Sequence, residues 1–256
     1  MRSLTGKILL LALLMTLCRF GIGAAAAQQP EVKMDSMSLA ELETAGDQAR
    51  SQKDYLLAIR YFEAALRRDR KNATLYNKLG LAELKNNDLG LARLDFQKAA
   101  KSNSRFADAI NNIGAVDYMQ KRYGSAAKYF KKAVALDENR ATFHVNLGAA
   151  WFSQRKFDQA IAEYTRAVEL DPDAFRHETK TGIAAQIASP EERAQYSYLL
   201  AKVYAKRGDV ENCLQCLRKA KEDGFPHLAN VYKDEEFSRM RDNPKLQEVV
   251  PPPVPK

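Results

Sequence analysis

Cys213-Leu214-Gln215-Cys216 is the one arrangement in the sequence whose residue types and spacing suggest bond-making chemistry. Two thiols so placed can cycle between dithiol and disulfide, which would make the chain a thiol-redox protein. Three features oppose that reading. A helical pattern starts near Asp209 and holds both thiols in its interior, away from the N-terminal end where thiols are acidified. Residues three apart on a helix have Cβ atoms about 5–6 Å apart, against about 3.5–4.5 Å in an unstrained disulfide. Cys213 also occupies a position where a repeat, set out below, places a small buried residue. No His follows Cys216, so covalent haem attachment is excluded.

Other chemistry is thinner still. His144, His177 and His227 stand far apart, and three Cys with three His cannot build a dense metal site or a disulfide framework. His144 falls where the repeat packs a large side chain, so it reads as a core histidine. There is no Gly-x-x-x-x-Gly-Lys loop for phosphate, and Thr181-Gly182 is not a fragment of one. No Gly-x-Ser-x-Gly elbow occurs. Glu191-Glu192 and Glu235-Glu236 lie at helix starts, where negative charge favours the helix dipole. The expectation is no catalytic residue, no cofactor and no metal.

The elements that would position any site follow a period. Gly46, Gly80, Gly114 and Gly148 are 34 residues apart each time. Twelve residues after each Gly stands Ala58, Ala92, Ala126 or Ala160. Four further on come Phe62, Phe96, Phe130 and Tyr164, then Ala65, Ala99, Ala133 and Ala167. Each period reads as two helices: apolar residues at three- and four-residue steps, a polar break such as Gln120-Lys121-Arg122, and a second such set. Gly and Ala let two backbones approach, and the aromatic is expected to fill the space between neighbouring units. A helix pair this small cannot bury its own apolar face, so the units must stack.

The run Tyr76-x-x-Leu79-Gly80 with Ala92, Phe96 and Ala99 resembles the tetratricopeptide repeat (TPR). So do Leu147-Gly148, Trp151, Ala160, Tyr164, Ala167 and the closing Asp171-Pro172. The resemblance covers about two thirds of the chain. It implies an all-α fold, an α-solenoid of about five helix pairs after an N-terminal signal peptide. Units are placed at 39–72, 73–106, 107–140 and 141–174, with a linker at 28–38. A divergent fifth unit at 194–227 carries Ala201 for the Gly, Cys213 for an Ala and Leu217 for the aromatic. An insert at 175–193 precedes it, ending in Ser189-Pro190-Glu191-Glu192, a strong helix start. Residues 228–250 should cap the solenoid with Phe237, Met240, Leu246 and Val249 turned inwards. The tail at 251–256, PPPVPK, should be extended polyproline.

Function, on this reading, lies on a surface. The resemblance implies a non-catalytic scaffold that binds a peptide or partner segment along the first helices. Asn77, Lys78, Asn112, Tyr118, Asn146, Phe152, Tyr198 and Lys202 are expected on that exposed face. Asn112 and Asn146 share an offset two before the Gly. In the O-linked N-acetylglucosamine transferases an Asn there forms a ladder that clamps an extended peptide backbone. An amide offers both donor and acceptor, although Asn is also a common exposed helix residue. Lys78 and Lys202 at either end would favour an acidic ligand.

Composition limits the alternatives. Lys+Arg of 40 against Asp+Glu of 32 gives +8, too mild and too evenly mixed to argue nucleic-acid binding. Arg2 and Lys7 precede the apolar run Ile8–Cys18, which is short of a bilayer span. Ala25-Ala26-Ala27 then precedes Gln28-Gln29-Pro30, the pattern of a Sec-type signal peptide cut near Ala27. Length and flanks both disfavour the competing reading, an uncleaved anchor. Leu17 before Cys18 is too bulky for a lipoprotein site. The chain is therefore expected to be exported to the periplasm, with membrane association only through a partner.

Overall fold

The computed structural model describes residues 34–175 and 189–253. The expected signal peptide, Cys18 and most of the insert lie outside the described residues. In the compact unit from Ser38 to Lys256 the described residues form helices and no strand. The first helices of successive pairs are α1 (Leu39–Ser51), α3 (Ala73–Lys85), α5 (Ala107–Met119) and α7 (Ala141–Ser153). Their partners are α2 (Tyr55–Arg68), α4 (Leu89–Ser102), α6 (Tyr123–Leu136) and α8 (Phe157–Leu170). A fifth pair is α9 (Pro190–Arg207) with α10 (Val210–Glu222), and α11 (Pro244–Val249) follows. Each first helix packs on its own partner, and that partner packs on the next first helix. First helices also touch their successors, α1 on α3, α3 on α5 and α5 on α7. They form the inner layer of the solenoid, and the second helices form the outer one.

Local sequence sets the helix ends. Ser38 and Glu41 close a reciprocal capping box before α1, with Glu41 N–H donating to Ser38 Oγ at 3.2 Å and Ser38 N–H to Glu41 Oε2 at 2.7 Å. Ser189 accepts from Glu192 N–H at 3.1 Å, and Pro190 opens α9. The polar breaks inside each unit are tight turns closed by a six-residue backbone bond, such as Arg122 N–H to Asp117 carbonyl at 2.8 Å. Lys53, Asn87, Lys121 and Arg155 take the left-handed conformation there, with φ of 64°, 68°, 59° and 59°. Only the fifth unit uses Gly at that place, Gly208 at φ 81°.

The core explains the period. A Cβ on Gly114 would stand 2.7 Å from the Phe130 ring, and one on Gly148 only 2.4 Å from Tyr164. The ring therefore rests first on the glycine of its own unit, rather than simply between units as the pattern suggested. It also reaches onward: Phe130 clusters with Leu147 and Ala150 of the next pair. The C-terminal segment closes the stack. Residues 235–240 form a 3-10 helix, Phe237, Met240, Leu246 and Val249 are buried, and a further 3-10 turn spans Leu228–Tyr232.

Two buried carboxylates have opposite settings. Asp117 is fully buried, and burial alone would raise its carboxyl. Hydrogen bonds from Arg93, Ser125 and Arg122 outweigh that and hold it below the usual aspartate value. Arg93 comes from α4, so this ion cluster ties the second pair to the third. Glu83 is also buried, but its Oε2 has no hydrogen-bond partner. Burial, together with Asp95 beside it, pushes the Glu83 carboxyl up to about 8.

That second setting gives a testable pH dependence. Unfolded, Glu83 titrates near its ordinary 4.5, so above that value the folded chain retains a proton that the unfolded chain releases. Stability must fall as pH rises from there through about 8, with a limiting slope of about 1.4 kcal/mol per pH unit. Glu83→Gln keeps the shape and removes the titration. Urea unfolding should find Glu83→Gln more stable than the parent at pH 8 and close to it at pH 5. Equal midpoints at both values would refute the assignment.

Candidate peptide-binding groove

The inner layer carries a chain of amides across three successive first helices. Asn146 Nδ2 donates to Asn111 Oδ1 at 2.9 Å, and Asn112 Nδ2 donates to Asn77 Oδ1 at 3.0 Å. A longer bond of 3.4 Å from Asn111 Nδ2 to Asn112 Oδ1 joins the two. Each link between units spans 35 residues, one more than the repeat, because neighbouring first helices are offset by one position. Lys78 with Glu43 and Tyr118 with Ser153 follow the same offset.

This alters what several expected site residues can do. Asn77 and Asn146 are buried, and Asn112 is half-buried. Their amides hold the units together before any ligand arrives. Asn146→Ala would remove the donor to Asn111, at a cost of about 1 kcal/mol of stability, so its effect on binding could not be read by itself. Lys78 is not a free cation either. Its Nζ bonds Glu43 at 2.7 Å and Asp47 at 2.5 Å, and these bonds outweigh burial and raise its pKa. Lys202 Nζ sits 3.2 Å from both Asp234 and Glu236. Neither lysine is therefore a free cation that would favour an acidic ligand, contrary to expectation.

Tyr198 leaves the groove altogether. Its hydroxyl donates to Asp234 Oδ2 at 2.8 Å, and its ring stacks on Phe225 with centroids 4.3 Å apart. The C-terminal cap covers it. Tyr118 and Phe152 come together at the wall of one cleft of about 400 Å³, but both are buried, with 4% and 8% exposure, rather than set on an exposed face as expected. The Tyr118 hydroxyl lies 2.8 Å from Ser153 Oγ, while the Phe152 ring meets Phe157 and Tyr196 at 5.7 and 5.4 Å. Tyr123 stands 5.0 Å from Tyr118, and completes an aromatic floor with Phe157.

Charges of both signs line the cleft. Exposed Lys121 and Arg155, the left-handed residues of two successive turns, supply the cations. Glu191 and Glu192, in the first turn of α9, supply the anions. Bonds from its own backbone N–H and from Ser189 hold the Glu191 carboxyl below the usual range. Tyr123, Phe157, Lys121 and Arg155 were not among the expected site residues. Their signal was the period itself: Tyr123 and Phe157 share one offset, and Lys121 and Arg155 another.

The remaining candidates are inert in this arrangement. Cys213 and Cys216 are both free within α10, Cys213 buried and Cys216 half-buried. Burial pushes each thiol up to about 12, with Cys216 and Asp209 adding to the effect on Cys213. Such thiols carry almost no thiolate at neutral pH, so nothing here supports redox chemistry. His144 is buried, with Nδ1 2.7 Å from Glu163 and Nε2 3.0 Å from the Glu138 carbonyl. Among the described residues no group of three or more His, Cys, Asp or Glu is placed to hold a metal. No described helix is long and apolar enough to cross a membrane.

Comparison with known proteins decides the family. A tetratricopeptide repeat profile matches residues 44–108 and 118–175, and a second profile of the same description matches 194–222. The chain belongs to the tetratricopeptide repeat family. Among solved structures it is similar to YrrB, described as a TPR protein with an unusual peptide-binding site. That match has a TM-score of 0.50 and 21% identity, over 77% of this chain and 92% of YrrB. It is also similar to MamA from Desulfovibrio magneticus, with a TM-score of 0.52 and 20% identity, over 72% of this chain and 93% of the other. A thermophilic TPR protein of Thermus thermophilus aligns with a TM-score of 0.50 and 19% identity, covering 75% of this chain and 94% of that one. These likenesses establish the TPR solenoid. A comparison with curated protein sequences finds no match.

Proposed function

We propose that this TPR protein is a non-catalytic scaffold that holds an extended segment of a protein partner along its inner layer, anchored in the cleft at Tyr118 and Phe152. One observation carries the reading: four aromatic side chains from two successive units line an open cleft of about 400 Å³ with charged walls. Rings supply large apolar area with little entropy lost. The TPR fold supports a binding role, and the peptide-binding site of YrrB is a precedent on the same fold, although fold by itself does not assign a ligand. The partner's anchor would be a bulky apolar side chain, with polar groups on either side to meet the charged walls.

A random-peptide display library screened against the chain from Gln28 tests this. Enriched peptides should carry a large apolar residue. They should bind the Phe157→Ala variant about tenfold or more weakly, as expected for loss of an interfacial ring. Phe157 is only half-buried, so a melting curve can establish that the variant remains folded. Enriched peptides that bind parent and variant equally would defeat the cleft as the anchor.

The same proposal places the scaffold outside the cytoplasm, in the periplasm, after cleavage of a Sec-type signal near Ala27. The support is the short apolar run Ile8–Cys18 and the small residues before Gln28. N-terminal sequencing of the processed protein should begin at or near Gln28. Recovery of Met1, or of a lipid on Cys18, would overturn that part.

A further inference from the structure

The outer layer of the first three units presents a face that the groove does not explain. On α4, exposed Leu91, Leu94, Lys98 and Lys101 recur at steps of three and four, so they form one stripe. On α2 the corresponding stripe is Leu56, Arg60, Glu63 and Arg67, and α6 adds Lys128, Lys131 and Lys132. Leu56, Leu91 and Leu94 are 64%, 54% and 48% exposed, the large hydrophobic side chains most open to solvent among the described residues. The repeat makes these positions neighbours. Arg60, Leu94 and Lys128 share one offset, and Leu56 shares its own with Gly90, which is next to Leu91.

Charge on this face is one-sided. Arg60, Arg67, Lys101, Lys128, Lys131 and Lys132 make no ion pair with a described residue, and Glu63 is the one exposed acid on the three helices. The next outer helix, α8, differs: there Arg166 pairs with Glu169 at 3.4 Å, and Asp158 is exposed. The basic surface therefore stops after the third unit.

We propose that the outer face of α2, α4 and α6 is a docking surface for an anionic lipid bilayer. Leu56, Leu91 and Leu94 enter the headgroup region, and the six unpaired cations lie over negative headgroups. Protein interfaces are depleted in Lys and enriched in aromatic side chains, whereas this face is rich in Lys and presents no aromatic ring among its exposed residues. A lipid surface asks only for positive charge near the headgroups and aliphatic groups that can insert. The groove lies on the opposite layer, so a partner could still be held while the scaffold sits on the membrane. From the sequence, membrane association is expected only through a partner. Exposure of the three leucines, which the repeat pattern does not reveal, argues for direct contact.

The test is vesicle sedimentation with the chain from Gln28, which contains the whole compact unit and lacks the N-terminal apolar run. Vesicles of phosphatidylcholine alone and of phosphatidylcholine mixed with phosphatidylglycerol are compared. Binding should require phosphatidylglycerol and weaken as salt rises. Replacing Lys128, Lys131 and Lys132 together by Gln should weaken it by about fivefold per cation, roughly a hundredfold in all. Replacing Leu91 and Leu94 by Ser should weaken it by about tenfold or more, with salt dependence retained. All five positions are exposed, so unchanged circular dichroism is expected. No binding to mixed vesicles, or equal binding by both variants, overturns the proposal. Tight binding to polyglutamate that ignores the leucine substitutions, without vesicle binding, would assign the face to an acidic protein and overturn it as well. Groove binding is measured separately, so either result leaves the peptide reading standing or falling on its own test.

Discussion

Asp117→Ala should destabilise the solenoid by about 2–4 kcal/mol, far more than an exposed change, measured by urea unfolding near neutral pH. Asp117 accepts from Arg93 Nε at 2.8 Å, from Ser125 Oγ at 2.5 Å and from Arg122, and its side chain has no exposed surface. Removing it leaves two guanidinium groups without their acceptor. Arg93 and Arg122 are 28% and 47% exposed, so both can recover some hydration, and the cost stays below that of a wholly buried pair. The pH dependence has a fixed sign. The folded pKa is depressed, so the stabilisation is fully present above the ordinary value of 3.8 and is lost as pH falls through the folded value. The penalty for Asp117→Ala should therefore shrink in acid. A penalty that is constant with pH would mean that the carboxylate charge is not what binds the second unit to the third.

Little of that cluster was legible in the sequence. Asp117, Arg122 and Ser125 are close in the chain, but Arg93 reaches them from the previous unit. Nothing in the period marks Arg93, because residues at its offset vary: Ile59, Ala127 and Ile161 stand in the other units. The fold was legible for the opposite reason. Gly at 34-residue spacing and an aromatic 16 residues later are one contact repeated four times, so chance could not imitate it.

The site was read only in part, and the failures share one cause. Repeat offset shows which helix a residue occupies, and Asn112, Asn146, Tyr118 and Phe152 lie on first helices, but Asn146, Tyr118 and Phe152 are buried there and Asn112 is half-buried, not exposed. It does not show what the neighbouring unit offers to that residue. Lys78 meets Glu43 and Asp47, and Lys202 meets Asp234 and Glu236. These acids come from a preceding unit and from the cap, so the two lysines are neutralised by elements that no single repeat contains. Tyr118 and Phe152 gained importance the same way. Their cleft is closed by Glu191, Glu192 and residues 224–227, which follow the break in the period.

The expected result at Gly114 tests the repeat contact itself. Gly114→Leu should cost about 3 kcal/mol or more by overpacking, against about 0.5 kcal/mol or less for Lys131→Ala on the outer face. The new Cβ would lie 2.7 Å from Phe130 Cε1 and 3.2 Å from the Ala126 carbonyl oxygen. Phe130 is fully buried, so its ring has nowhere to retreat. The fifth unit shows how the clash is avoided: Ala201 replaces the Gly where Leu217 replaces the ring, and both are fully buried. A branched aliphatic side chain can turn away from a methyl group that a flat ring would strike. Gly114→Ala should thus destabilise the parent, but much less so in a Phe130→Leu background. Four urea midpoints complete the cycle, and a coupling of about 0.5–3 kcal/mol is expected. If the two substitutions simply add, Ala201 and Leu217 are not a compensating pair, and the glycine is needed for some reason other than the ring.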